Sequence, residues 1–344
     1  MEVLMSNWCT KTAQYLPEKY VFPPGKRPGK LDFPVCENFP VIDLENANSR
    51  QILNACQEFG FFQVINHGIP VSLMEETMRV SQEFFGTSPE YKSSFYSTDM
   101  TRKCRIYSST LDYDKEEVHY WRDNFTHHCH PIKDYIDLWP ENPTRYREVV
   151  GKYSVEGRKF MLRILDLIGE GLGLKPEYFH GDLSKTQLLS INHHVPCPDP
   201  SLTLGMPEHR DPNLISMIQQ CSVPGLQVFF QGQWMNIEPM ENAFFVIPGM
   251  QLKAISNGKF LSPMHRVVTH SERARTTIGT FLIPSMDVVV KPADDGAGIS
   301  PVYRGFTYKE FFSAYTENKF DWEATLESFK VKITKYEDNI ADGW

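Results

Sequence analysis

The stretch "GMPEHRDPNLISMIQQ", residues 205–220, passes from an extended segment carrying His209-Arg210-Asp211, through the turn signal "DPN", into an apolar run over 214–220. The same texture recurs on both sides. Short β-rich runs are predicted over 187–195, 225–230, 243–248, 264–269, 276–284 and 286–291, punctuated by "VPG", "QGQ" and "SNGK". Many short strands at regular spacing predict an all-β sandwich or barrel, with a jelly roll as the candidate.

Upstream the period changes. Ile52, Ala55, Cys56 and Phe59 recur at helical spacing and stop at Gly60, between short strands in "NFPVIDL" and "FFQVINHG". Met74, Met78, Ser81 and Phe85 continue the pattern in a second helix ended by Gly86. Tyr146, Val149, Val150, Tyr153, Phe160, Ile164, Leu167 and Ile168 form the apolar stripe of a long helix over 144–172. Residues 95–143, with "HYWRDNFTHHCHP", read as irregular: a connection, or a surface that shapes a pocket. A closing helix is expected in "TYKEFFSAYTENKF". The organisation is then an arm over 1–38, a helical region over 39–184, a jelly-roll core over 185–330 and a tail over 331–344, a mainly β fold with α.

A formal net charge of −8 and a pI near 5.8, with Lys and Arg scattered, argue against nucleic acid and anionic membrane as partners. No basic segment followed by an apolar core opens the chain, and no window approaches 18 uninterrupted apolar residues, so a cytoplasmic location is expected. Seven cysteines without a Cys-x-x-Cys pair read as reduced packing residues.

His209-Arg210-Asp211 also occurs in kinase catalytic loops. That reading needs Asn five residues after the Asp, where this chain has Ser216, as well as a Gly-rich loop and an Asp-Phe-Gly, both missing. In an extended segment residues i and i+2 share a side, so His209 and Asp211 can offer an imidazole and a carboxylate to one point. His265, 54 residues after Asp211 at the start of another β-rich run, can supply a second imidazole. Two His and one carboxylate on one face make the facial triad of non-haem iron(II) oxygenases. The blander alternative for His-x-Asp is a turn residue plus an N-cap. Ten residues past His265, Arg275 and Thr277 again share a side, a fork and a hydroxyl suited to an organic acid; singly, Arg275 reads equally as a surface cation.

Together with "FPVIDL", "ACQEFGFFQVINHGI", "VPCPDPSLTLG", "HRDPN", "VPGLQV", "SNGKFLSPMHRVV" and "RTTIGTFLIP", these residues resemble the plant 2-oxoglutarate- and iron(II)-dependent dioxygenases over roughly residues 38–330. "YWRDNFTHHCHP" and "WPENPTRYREVVGKYS" are most similar to its hyoscyamine 6-hydroxylase and salicylate-hydroxylase branches. The resemblance implies a distorted double-stranded β-helix with iron(II) held by His209, Asp211 and His265. It implies 2-oxoglutarate held by Arg275 and Thr277, with Asn192 lining that site, and ascorbate as reductant. Dioxygen and a small plant specialised metabolite would be the other reactants, giving hydroxylation, desaturation or ring closure coupled to release of succinate by a monomer. Tyr107, Trp121, Phe125, Phe281, Phe311 and Tyr315 are the aromatic pocket candidates, with core packing as the alternative for each. Arg122 and Arg210 pair with an acidic substrate or form structural ion pairs.

The chain departs from the family pattern at "NHHVPCP", where His193 and His194 replace two tyrosines, the second of which gives its hydroxyl to the co-substrate carboxylate. His194 takes that role through a ring nitrogen. Thr277 stands for the usual Ser, Met250 for the usual Asp, and Arg210 for a neutral residue. Two rival readings follow: a non-oxidative cyclase or isomerase using the metal as a Lewis acid or His193 and His194 as acid and base, and a silent small-molecule binder.

Overall fold

Successive residues of a strand bury opposite faces, and this alternation sorts the protein into layers. The computed structural model describes residues 3–12, 15–29, 32–294, 300–318 and 322–331. The arm carries helix α1 (Met5–Thr12), followed by β1 (Val41–Asp43), α2 (Ser49–Glu58) and β2 (Phe62–Ile65). Helices α3 (Val71–Phe85) and α4 (Pro89–Ser93) lead into β3 (Cys104–Ser108), β4 (Asp123–His128) and the long α5 (Tyr146–Gly171). Next come β5 (Thr186–His194), β6 (Met206–His209), β7 (Ile215–Gln220), β8 (Leu226–Phe230), β9 (Gln233–Ile237) and β10 (Phe244–Pro248). A short α6 (Met250–Ile255) precedes β11 (His265–Val267) and β12 (Arg275–Ile283). β13 (Val289–Val290), β14 (Phe306–Thr307), α7 (Tyr308–Glu317) and α8 (Trp322–Glu327) complete the described elements.

Local chemistry sets the helix ends. Asn48 accepts from the Gln51 backbone N–H while the Gln51 side chain accepts from Asn48 N–H, a reciprocal cap that starts α2. Thr307 and Glu310 start α7 in the same way.

Among the described residues the strands form an eight-stranded sheet in the order β1-β2-β10-β7-β12-β5-β4-β3, a four-stranded sheet β6-β11-β8-β9 and the pair β13-β14. The two larger sheets make the double-stranded β-helix. Strand β10 shows the layering: Phe244 and Val246 join the core under α3 and α5 with Phe125, Tyr146, Ile164, Ile191 and Ile278, whereas Phe245 and Ile247 turn to Val228 and Ile237 of the smaller sheet. Transfer of such side chains from water is worth about 1.5–3 kcal/mol each, which is what holds the helices to the sheet.

Three features differ from expectation. Residues 95–143 contain β3 and β4, which extend the large sheet beside β5. Their Asn, Thr and His side chains masked the strand period because sheet and helix partners satisfy them inside the fold: Asn124 donates to Asn192 and Ser190, and His127 meets the Tyr146 hydroxyl. β9 and α6 had no distinct signal. The run expected over 286–291 shrinks to the two residues of β13. The closing helix ends at Glu317, and residues 319–320 of its motif and 332–344 of the tail lie outside the described residues.

The arm is pinned by charge as well as by apolar contact. The Met5 and Ser6 backbone N–H groups at the start of α1 donate to the two oxygens of the buried Asp123 carboxylate at 2.9 and 2.7 Å. No described helix is long and apolar enough to cross a membrane.

Candidate metal centre

β6 and β11 pair antiparallel with His209 opposite His265, so register alone puts two imidazoles side by side, ring centroids 4.1 Å apart. Asp211 follows two residues after His209, where the chain leaves the sheet. Its Oδ1 lies 3.7 Å from Nε2 of each histidine, and the three ligand atoms fall within 4.8 Å of one another. Two donors each about 2.0–2.2 Å from one ion can lie up to about 4.4 Å apart, so the 3.7 Å separations let a single cation fit between them.

The orientation of each ligand is fixed from behind. His209 Nδ1 lies 2.9 Å from the Pro207 carbonyl and His265 Nδ1 3.2 Å from that of Pro263. A carbonyl only accepts, so both Nδ1 atoms carry hydrogen and both Nε2 lone pairs turn toward Asp211. Burial and the neighbouring His265 push the His209 pKa below the usual imidazole range, with Asp211 opposing. The ring is therefore neutral at neutral pH, as a metal ligand must be. Asp211 is 5% and His265 3% exposed, while the His209 side chain is 21% exposed, so the centre opens on the His209 side.

Two supports were not read from the sequence. Ser216 on β7 donates its hydroxyl to Asp211 Oδ2, and Asn213 Nδ2 holds Ser216 in turn at 3.0 Å. The only sequence signal was a small polar residue in the run "LISMIQQ". Ser216→Ala should weaken metal binding about 10- to 100-fold with little change in fold, measured by competitive titration of the metal. Gly249 is the second support: a Cβ there would stand 1.9 Å from the Asn213 carbonyl oxygen, and the next N–H, of Met250, donates to the Asp211 carbonyl at 2.9 Å. Met250 itself is buried in the core, so its departure from the family pattern changes packing and adds no polar group to the centre.

On the large sheet, register aligns Tyr107, Asn124, Asn192, Thr277 and Gln220 across five neighbouring strands, with Arg275 opposite His194 one step along. Arg275 is 2% exposed and pulled down to about 10 by burial, hence cationic at neutral pH. It donates to Val223 O and Gln220 Oε1, yet its Nη1 is buried without a partner, and no carboxylate pairs with it among the described residues. A buried fork with an open donor is what a carboxylate-bearing ligand requires. Arg122 acts electrostatically on both His209 and His194, lowering the pKa of each.

Residues 185–284 match the 2OG-Fe(II) oxygenase superfamily, and residues 39–142 match the family described as non-haem dioxygenase in morphine synthesis, N-terminal. The chain is 41% identical to hyoscyamine 6-dioxygenase of Hyoscyamus niger, over 97% of this chain and all of that one. The chain belongs to the 2-oxoglutarate- and iron(II)-dependent oxygenases. The oxygenase is also 41% identical to Protein DOWNY MILDEW RESISTANCE 6 of Arabidopsis thaliana, over 91% of its own length and 95% of the relative. Its fold superposes on the crystal structure of JOX2 in complex with 2OG, Fe and JA with a TM-score of 0.83 at 26% identity, covering 96% and 98% of the two chains. Iron(II) and 2-oxoglutarate are therefore the cofactor and co-substrate of this enzyme.

The oxygenase divides its other candidates between the inward face of the large sheet and the core. Tyr107 and Phe281 lie on the inward face of the large sheet, half-buried. Tyr315 of α7 lies close enough to Asp211 for the carboxylate to help burial raise its phenol pKa. Arg210 is half-buried, and Arg122 donates to Asn192 Oδ1 at 2.9 Å and to the Ser109 carbonyl. Three candidates present no surface to a ligand. Phe125 faces the helices, packed tilted and edge-on among Phe84, Phe95 and Tyr146; Phe311 packs on Phe306 and Phe329; Trp121 is wedged between Trp8 and Tyr20 with its N–H on Val195 O.

The paired histidines separate in the same way. His193 points toward the helices, stacking on Phe85 at 4.5 Å and bonding Thr276 Oγ1 at 3.0 Å, while His194 points inward. Neighbours on a strand face opposite ways, so His193 and His194 cannot serve as an acid–base pair on one substrate, and the acid–base form of the cyclase reading loses its machinery.

Proposed function

We propose that His209, Asp211 and His265 ligate the iron, that Arg275 and Thr277 hold the distal carboxylate of 2-oxoglutarate, and that Asn192 borders it. When bound, iron(II) supplies the activation of dioxygen that no side chain can provide. This chain's residues do the rest: they neutralise the dicarboxylate, keep water from the Asp211 side, and present one C–H bond of the substrate. The reaction is oxidation of a small plant specialised metabolite, by hydroxylation, desaturation or ring closure, coupled to conversion of 2-oxoglutarate to succinate. Ascorbate serves as reductant, and the protein works as a monomer with the arm, helical region and β core acting together. Tyr107, Phe281, Tyr315, Arg122 and Arg210 line the substrate side.

The observation that carries this reading is the convergence of two Nε2 lone pairs and one carboxylate oxygen, with a buried arginine on the large sheet that keeps an open donor. The hyoscyamine 6-dioxygenase relationship supports a small metabolite as substrate. Anaerobic addition of iron(II) and 2-oxoglutarate should produce a visible charge-transfer absorption, and admitting air should then release succinate. Absence of both would overturn the assignment.

A further inference from the structure

His194 occupies the place of a hydroxyl donor, and the structure determines which of its nitrogens is available there. Its ring is 2% exposed, and Nδ1 lies 2.9 Å from the carbonyl of Trp121. That carbonyl is itself immobilised, because Trp121 donates its backbone N–H to Leu204 O and its indole N–H to Val195 O, each at 2.9 Å. Gly205 lies flat against the ring: a Cβ there would stand 2.6 Å from Nδ1 and 2.7 Å from Cε1. Since a carbonyl only accepts, Nδ1 carries the hydrogen and Nε2 of the neutral ring is a bare lone pair. Nε2 is buried without a hydrogen-bond partner, next to Arg275, whose Nη1 is equally unpartnered.

The charged and titratable groups acting most on the ring are Arg275 from β12, Arg122 from the segment before β4, and His193 on the opposite face of β5; Asp123 on β4 stands opposite His193, with its carboxylate on the Met5 and Ser6 N–H groups. Burial first, and these cations next, hold the free ring neutral far below the usual imidazole range. A carboxylate docking on Arg275 meets that lone pair, a repulsive contact that the tyrosine of the family pattern never presents. A proton on Nε2 converts repulsion into a charge-assisted donor.

We propose that His194 makes dicarboxylate binding proton-coupled: one proton from solvent binds Nε2 as the distal carboxylate docks on Arg275, and the new N–H donates to that carboxylate. This rests on the co-substrate role proposed above for Arg275. The sign follows from linkage. Between the low pKa of the free ring and the raised pKa of the bound one, the complex holds a proton that the free protein lacks, so affinity falls as pH rises, by at most about tenfold per pH unit.

The test is calorimetric titration of 2-oxoglutarate into the zinc-loaded protein at pH 7 in buffers of different ionisation enthalpy, for wild type, His194→Tyr and His194→Gln. All other titrating groups are shared, so the difference isolates position 194. The expected result is close to one proton taken up by wild type in excess of either variant, with a steeper loss of affinity toward pH 8. Nitrogen NMR of wild type alone should show His194 passing to the doubly protonated ring on saturation, which keeps the test valid if a variant misfolds. Equal uptake in all three proteins, or a ring that stays neutral at saturation, overturns the proposal while leaving the co-substrate site intact. Failure of wild type to bind 2-oxoglutarate overturns both.

Discussion

Asp211→Ala is expected to lower iron(II) affinity by more than about 100-fold and to abolish succinate release. The bound follows from comparison: losing a group that only orients a ligand costs about 10- to 100-fold, and among the described residues Asp211 is the only anionic donor in the cluster. Without it, two neutral imidazoles must hold a dication alone. The fold should survive, because the Asp211 backbone carbonyl still accepts from Met250 and the Ser216 hydroxyl can turn back to Asn213, whose Oδ1 lies 3.4 Å away. Competitive metal titration with a melting curve on the same sample separates the two effects. Iron affinity within a few-fold of wild type would remove Asp211 from the centre.

Arg275→Gln should leave metal binding unchanged and weaken 2-oxoglutarate binding by about 2–5 kcal/mol, the cost of truncating one side of a buried charge pair. That is roughly thirty- to several-thousand-fold in Kd. In the proposed co-substrate site Arg275 is the group that meets the distal carboxylate with a full charge, since His194 opposite it is neutral before binding. The amide cannot replace the fork's hydrogen bonds to Val223 O and Gln220 Oε1 together, so a loss of thermal stability is also expected. Titration of the keto acid into metal-loaded protein reads the first effect independently of the second. An unchanged Kd would place the dicarboxylate elsewhere.

The two variants probe opposite sheets, and the sequence made those sheets unequally legible. His209 and Asp211 stand two apart, so an extended chain alone turns them to one side, although Asp211 itself lies just past the end of β6. His265 is a different case. It could be nominated from its place at the start of a β-rich run, but only the antiparallel register of β6 and β11 sets it opposite His209. Ser216 and Gly249 gave almost no signal because their value lies in what they touch: a carboxylate oxygen in one case, and in the other a carbonyl that leaves no room for a methyl group. The strands in 95–143 were obscured for a related reason, since the partners that let Asn124 and His127 be buried belong to β5 and α5.

From the residues alone came the elements with a clear period, the His-x-Asp pair, the Arg-x-Thr pair and the contrast between a helical first half and a β-rich second. These depend on spacings of two or three to four residues, which chain geometry carries by itself. Tertiary structure decided which aromatic rings lie on the inward face of the large sheet and which, like Trp121, Phe125 and Phe311, are spent in packing. It also sent His193 and His194 to different environments and set the hydrogen of His194 on Nδ1. Those outcomes depend on contacts between residues far apart in the chain, such as His194 with the Trp121 carbonyl 73 positions away, and no local pattern encodes them.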